Sequence, residues 1–380
     1  MPEGQLPSVI QGCIPKEDII SGDSHEDTFA ANLTRVINRE EGYFYADPEK
    51  FFKNTYPTDG LKTTVREICG RLSEERSGSS VIKLETGLGG GKTHTLIALY
   101  HLAKYGSNIF GADNIVGNME FDPMRVAAIV GTKMAVGSQS KKRRTIWGEI
   151  AYQLKGEEGY EIVKGSDQDM LSPGEDALNE LIGADKCLIL IDEIALYLAR
   201  SSGITIGEEG GTNLAEATIT FLQELTQLSS SNNNVALVMT SLDEQSVFRE
   251  RTSQLKSMLE RETEEEEIKQ NIRDAKQVVA RIVQSLEPTK GEEFAHIIRH
   301  RLFDSIDKSV KDQVLYAYME GYKRDGVSEQ LPHLVKNPEY LEVMDKSYPF
   351  HPEIINILRT KTSSIENFHK TRGEIGRAHV

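Results

Sequence analysis

Val81-Ile82-Lys83-Leu84-Glu85-Thr86-Gly87-Leu88-Gly89-Gly90-Gly91-Lys92-Thr93-His94-Thr95 joins an apolar run of strand character to a cluster of glycines. A Lys-Thr pair then opens the helical run Leu96-Ile97-Ala98-Leu99-Tyr100. Strand, glycine loop and helix in that order give the pattern G-x-x-x-x-G-K-[ST] a physical mechanism. Glycines let the backbone turn tightly enough for successive N–H groups to point into one anion-sized hollow. The helix starting at Lys92 adds its positive N-terminal end. On this reading Gly87, Gly89, Gly90, Gly91, Lys92, Thr93 and His94 cradle the phosphates of ATP. Lys92 reaches the β- and γ-phosphates, and the Thr93 hydroxyl holds Mg²⁺. One position departs from the pattern: the leading glycine falls on Thr86, with Gly87 one residue late. A glycine-rich surface turn is the competing reading, and the flanking strand and helix argue against it.

A second stretch complements the first. Cys187-Leu188-Ile189-Leu190-Ile191-Asp192-Glu193 is a continuous apolar run ending in two carboxylates. A strand covered by helices on both faces needs such a run, and open α/β sheets place ligand chemistry at the carboxyl ends of their strands. This is the Walker B pattern. Asp192 is expected to hold Mg²⁺ and Glu193 to orient the attacking water. A buried strand that merely ends in solvated acids is the alternative, weakened by the phosphate loop upstream. Val235-Ala236-Leu237-Val238-Met239 reads as a further buried strand whose tip, Thr240 or Ser241, is positioned to meet the γ-phosphate.

The remaining chain fills in around these strands. Residues 1 to about 25 read as an extended arm. Asp27 to Ile37 has helical spacing, and Tyr43 to Tyr56 is an aromatic cluster, read as a packed elbow in preference to a base-stacking surface. Thr58 or Asp59 caps a helix running to Leu72. Val126 to Val130 is a strand closed by Gly131-Thr132, and a helix runs from Thr145 to Leu154. Lys155 to Gly174 is polar and reads as a surface loop, followed by a short helix from Ala177. Helices are expected over Ile194 to Arg200 and Leu214 to Leu228, and a last strand over Val278 to Leu286. Glu264 to Glu267 reads as a solvated helix face, since successive like charges diverge around a helix. Beyond Pro288 the pattern is helical: Lys290 to Phe303, Val310 to Tyr322 and Pro352 to Leu358. The fold class is therefore α/β, a P-loop NTPase-type parallel sheet with helices on both faces, followed by an all-helical lid. In residue terms the arm and elbow occupy 1–57, the core 58–287 and the lid 288–373.

Net charge is −15 over 380 residues, so the whole surface is not a nucleic-acid platform. Cys13, Cys69 and Cys187 are few, far apart and fit no metal spacing, which suits apolar fillers in a reducing compartment. Neither a secretion signal nor a bilayer-length apolar run is visible, so a cytoplasmic protein without membrane contact is expected.

The order of elements, with its helical lid, resembles the AAA+ class of ring-forming or switch ATPases. The resemblance narrows at Glu85 to Ala103, at Phe52 to Leu61, at Thr145-Ile146-Trp147-Gly148-Glu149-Ile150-Ala151, at Arg301-Leu302-Phe303 and at Tyr348-Pro349-Phe350-His351-Pro352-Glu353. These segments are similar to a prokaryotic family of large ATPases labelled domain of unknown function 499. Membership implies a Mg²⁺-dependent ATPase motor or switch, self-association or partner proteins, and a DNA-linked, anti-phage setting. Glu374-Ile375-Gly376-Arg377-Ala378-His379-Val380 resembles instead the translation of a sequencing adapter, and is set aside from fold reasoning.

Turnover in such enzymes commonly needs an arginine near the γ-phosphate. Arg200, Arg249 and Arg251 follow the key strands, and Arg299 and Arg301 lie on the lid helix. Lys141-Lys142-Arg143-Arg144 is the one dense basic cluster, either a DNA phosphate contact or a solvated loop. An ATP-switched scaffold with little turnover is the competing function, and a small-molecule kinase the third.

Overall fold

The computed structural model describes residues 6–21, 30–74, 77–85, 90–134, 136, 142–207, 211–240, 269–271, 273–275, 277, 284–324 and 326–360. A short helix, Val9–Gly12, leads into strand β1 (Cys13–Pro15) and a further helical turn, Glu17–Ile20. Helices α1 (Leu33–Ile37), α2 (Pro48–Lys53) and α3 (Asp59–Leu72) follow, each capped by a side chain at its start. Asn32 accepts from the Arg35 N–H, Asp47 from Glu49 and Lys50, and Thr58 from Leu61, which satisfies amides that have no partner inside the helix.

The sheet is then laid down strand by strand. β2 (Val81–Leu84) precedes α4 (Lys92–Tyr105), and β3 (Arg125–Val130) precedes α5 (Ile146–Asp169) and α6 (Gly174–Ile182). β4 (Cys187–Asp192) is followed by α7 (Ile194–Ser201) and α8 (Leu214–Ser231), then β5 (Val235–Thr240) and β6 (Gln284–Leu286). All five strands are parallel, in the order β3-β4-β5-β2-β6. Register pairs Leu84 with Thr240 and Val130 with Asp192, so the carboxyl ends of four strands share one edge.

Alternation along the strands divides the core in two. Ile189, Ile191, Leu237 and Met239 face Trp147, Tyr197 and Phe221 on one side. Leu188, Leu190, Ala236 and Val238 face Phe51, Phe52, Ile68 and Leu96 on the other. A strand buried on both faces has no use for polar residues, which is why β4 and β5 read as unbroken apolar runs.

Beyond the sheet come α9 (Phe294–Leu302), β7 (Phe303–Ile306), α10 (Lys308–Tyr322), α11 (Tyr340–Ser347) and α12 (Pro352–Thr360). β7 pairs antiparallel with β1, so this region is not all-helical and the N-terminal arm is not a free extended strand. Lys16 donates its backbone N–H to Leu302 at 3.0 Å, and the Arg301 guanidinium meets Asp18 at 2.7 Å.

Two further expectations are corrected. The polar stretch from Lys155 continues α5 after a break at Lys155 and Gly156, whose φ/ψ are non-helical, and runs to Asp169. Tyr160, Val163 and Asp167 turn inward while the rest stays wet, so a thin stripe anchors a segment rich in charge and glycine. Of the helix expected over Asp27 to Ile37, Leu33–Ile37 is helical with Asn32 extended as its cap, and Asp27 to Phe29 lie outside the described residues. Among the described residues no helix is long and apolar enough to cross a membrane. Ser241, Arg249, Arg251, Glu264 to Glu267, most of the stretch preceding β6 and the closing heptapeptide lie outside the described residues.

Candidate functional site

The shared carboxyl edge of β2, β5, β4 and β3 gathers the chemistry. Gly90 and Gly91 lead into α4, and Gly91 sits at φ 82°, a left-handed conformation that favours glycine. A Cβ there would also lie 2.9 Å from the Thr289 hydroxyl. Gly87 and Gly89 lie outside the described residues. Helix α4 presents Lys92 and Thr93 in its first turn, and the Thr93 hydroxyl donates to Asp192 Oδ2 at 2.9 Å. Residues 99 apart in sequence thus meet between the first turn of α4 and the tip of β4, a strand separated by β5 from the β2 strand that leads into the helix.

Asp192 is 3 % exposed and ends β4. Burial and the adjacent Glu193 carboxylate push its pKa up to about 6, against the smaller pull of the Thr93 and Thr240 hydroxyls and of Lys92. A buried acid held this way gains most from a cation, since a nearby positive charge repays the desolvation of the carboxylate. Thr93 and Asp192 therefore offer hard oxygens of the kind Mg²⁺ takes.

Glu193 is exposed and occupies left-handed backbone space at φ 54° and ψ 35°. For a non-glycine residue that conformation is uncommon and needs external support. Three contacts supply it. The Glu193 N–H donates to Thr240 Oγ1 at 3.1 Å, the Thr132 hydroxyl donates to Glu193 Oε2 at 2.7 Å, and the Gly131 N–H donates to the Asp192 carbonyl at 2.8 Å. A side chain at Gly131 would run into the Glu193 carbonyl.

Several expected roles change here. Thr240 is buried, and its hydroxyl is committed to Asp192 and to the Glu193 amide, so it braces the acids instead of facing a phosphate. His94 turns away from the edge: its Nε2 lies 3.0 Å from the Thr55 hydroxyl and its ring 4.6 Å from Phe51. Burial among those rings pushes its pKa down to about 4, leaving a neutral imidazole that ties α4 to the aromatic elbow. The elbow packs, as expected, and offers no open stacking face at Phe51 or Phe52. Arg200 donates from Nη2 to the Gly131 carbonyl at 2.7 Å, beside the acids but spent on backbone. Arg301 is taken by Asp18 and Arg299 by His296.

Thr132 was missed as a site residue. The signal was present, because strand β3 ends at Val130 and the rule that placed chemistry at strand ends applies to its tip as well. The basic cluster disperses. Lys142 meets Glu157 at 2.5 Å, Arg143 meets Glu149 at 2.6 Å, Arg144 donates to the Gln168 carbonyl, and Lys141 lies outside the described residues. The three cysteines are buried and unbridged, with Cys69 and Cys187 thiols pushed up to about 12 by burial, as fillers should be.

Comparison with known families adds a relationship. The model of the DUF499 N-terminal domain matches residues 15–124 and 129–285, and that of the DUF499 second domain matches residues 289–379. No curated protein matches the chain. With nearly its whole length covered by those two models, the chain belongs to the DUF499 family.

Proposed function

We propose that the carboxyl edge of the sheet is a P-loop-type site that binds Mg²⁺·ATP and hydrolyses it. The observation that carries this reading is the 2.9 Å bond from Thr93 to Asp192, which joins the residue after the loop lysine to a buried, cation-seeking carboxylate. Backbone amides at Gly90 and Gly91 and the Lys92 ammonium bind and orient the phosphates. Thr93 and Asp192 hold the ion, which when bound neutralises charge developing on the phosphoryl oxygens. Glu193, exposed and braced by Thr132 and Thr240, accepts a hydrogen bond from the attacking water and aligns it. Thr240 and Gly131 act as positioning residues through Asp192 and Glu193.

The wider role we infer is that of an AAA+-like motor or switch in a DNA-directed complex, with partner proteins or further copies of the chain. That setting rests on the family resemblance. The basic cluster lends it no support, because its described cations are engaged within the chain. An ATP-switched scaffold shares the site and differs only in turnover.

Steady-state ATPase rates and ATP affinities, with and without DNA, test the reading on wild type, Lys92→Ala and Glu193→Gln. Lys92→Ala should weaken ATP binding by about tenfold or more through loss of a charge-assisted contact. Glu193→Gln should bind ATP normally and turn it over at least about a hundredfold more slowly. Equal ATP affinity in wild type and Lys92→Ala would remove the site. Tight binding with negligible wild-type turnover would leave the scaffold.

A further inference from the structure

A cavity of about 400 Å³ lies between Tyr56 and the segment α9–β7–α10. That volume falls in the usual range of small-molecule sites. Three basic groups of α9 and two of α10 converge on it, against the net charge of −15 carried by the whole chain. Asp304 is the one carboxylate in the lining, and it already faces Lys16 at 3.7 Å. Lys311 is met by Asp345 at 2.5 Å, whereas Lys308 has no ion-pair partner among the described residues.

The hydrogen bonds inside the cavity decide which of these groups carry charge. Arg299 Nη2 lies 3.0 Å from Nδ1 of His296. A guanidinium cannot accept, so Nδ1 is the acceptor and His296 is neutral. One basic group is thereby spent on another. His300 Nε2 is buried with no hydrogen-bond partner among the described residues, and the ring donates to the Lys53 carbonyl, so the buried nitrogen of the neutral imidazole carries a lone pair. Burial, then nearby cations, hold both imidazoles below their ordinary pKa: Arg299 and Lys346 act on His296, while Lys16, Arg301 and Arg299 act on His300. Tyr56 stacks on His296 at 5.7 Å and 14°, giving one wall a flat aromatic face.

We propose that this cavity binds a small phosphorylated ligand, its phosphate taken by Arg299 and Lys308 and its apolar part resting on Tyr56 and Phe303. A phosphate suits the pair better than a carboxylate, because it carries more charge and three acceptor oxygens for a guanidinium fork and an ammonium. The lining includes no residue of the glycine loop, and the proposal does not depend on the ATP reading.

Titration calorimetry with inorganic pyrophosphate on the full chain carrying Lys92→Ala tests it, since that background weakens the loop. One binding site is expected, with affinity falling about tenfold or more when Arg299→Gln and Lys308→Gln are added. Should that triple variant fail to fold by circular dichroism, Lys308→Gln alone, at an exposed position, is expected to cost about threefold. Absence of binding to the Lys92→Ala chain overturns the proposal, as does an affinity indifferent to the cavity substitutions. Loss of ATP affinity in Lys92→Ala with pyrophosphate binding kept reports on the loop, and loss of pyrophosphate binding on adding the cavity substitutions reports on the cavity, so the two readings fail separately.

Discussion

Asp192 is the residue on which the candidate site turns, and its protonation links the site to pH. Its folded pKa, about 6, lies above the ordinary value of 3.8. The proton therefore favours the folded, ligand-free chain, and that stabilising contribution is present at low pH and lost as pH rises through about 6. On the proposed reading a divalent cation competes for the same oxygens. The rise in melting temperature caused by Mg²⁺·ATP should accordingly be larger at about pH 7.5 than at about pH 5.5. Asp192→Asn should abolish that difference and raise the melting temperature of the ligand-free protein at the higher pH. Thermal scans at both pH values check this, and a shift independent of pH would contradict the assignment of Asp192.

Among the elements, α5 shows how a charged, glycine-containing stretch is held in place. Asp167 is fully buried and accepts from the Arg144 and Thr145 amides, the Thr145 hydroxyl and the Tyr160 hydroxyl, at 2.6 to 3.1 Å. It closes the end of α5 onto its own start and holds the Arg144 and Thr145 amides there. Asp167→Ala strands these donors without water, which should cost about 3 kcal/mol or more. Denaturant unfolding measures it, and a loss below about 1 kcal/mol would show that water replaces the carboxylate. Periodicity analysis missed this half of α5 because its buried stripe contains only two large apolar side chains, Tyr160 and Val163. The stripe is completed by a carboxylate whose partners lie about twenty residues away, beyond any local window.

Across the whole molecule, the N-terminal arm belongs to the region after the sheet. β1 pairs with β7, the Lys16 ammonium reaches Asn54 at 2.9 Å, and Asp18 neutralises the buried Arg301. Cys13 and Tyr348 share one apolar cluster with Leu315 and Met344. Removing residues 1–21 should therefore loosen residues 303–360 selectively, leaving Arg301 buried without Asp18 at a cost of about 3 kcal/mol. Limited trypsin digestion followed by mass spectrometry should find new cuts in α10 and α11 while the sheet stays protected. Cuts distributed evenly over the chain would refute the dependence. The cavity beside Tyr56 sits against the same region, so ligand protection of α10 reports on both.

Local order was legible in the chain because it is written in local chemistry. Unbroken apolar runs marked strands covered on both faces, the cap Thr58 opened its helix, and the glycines with Lys92 and Thr93 marked a strand–loop–helix turn. The acids at the tip of β4 were equally plain. What tertiary structure alone decided was direction and partnership. His94 and Thr240 lie within the expected constellation, yet packing against Phe51 turned one away and the neighbouring strand tip claimed the other. The pairing of residue 13 with residue 306 likewise had no local trace, since a three-residue edge strand carries too little pattern to predict its partner. Secondary structure follows from periodicities of two and 3.6 residues, whereas a side chain's task is set by whichever distant group the fold brings within hydrogen-bond reach.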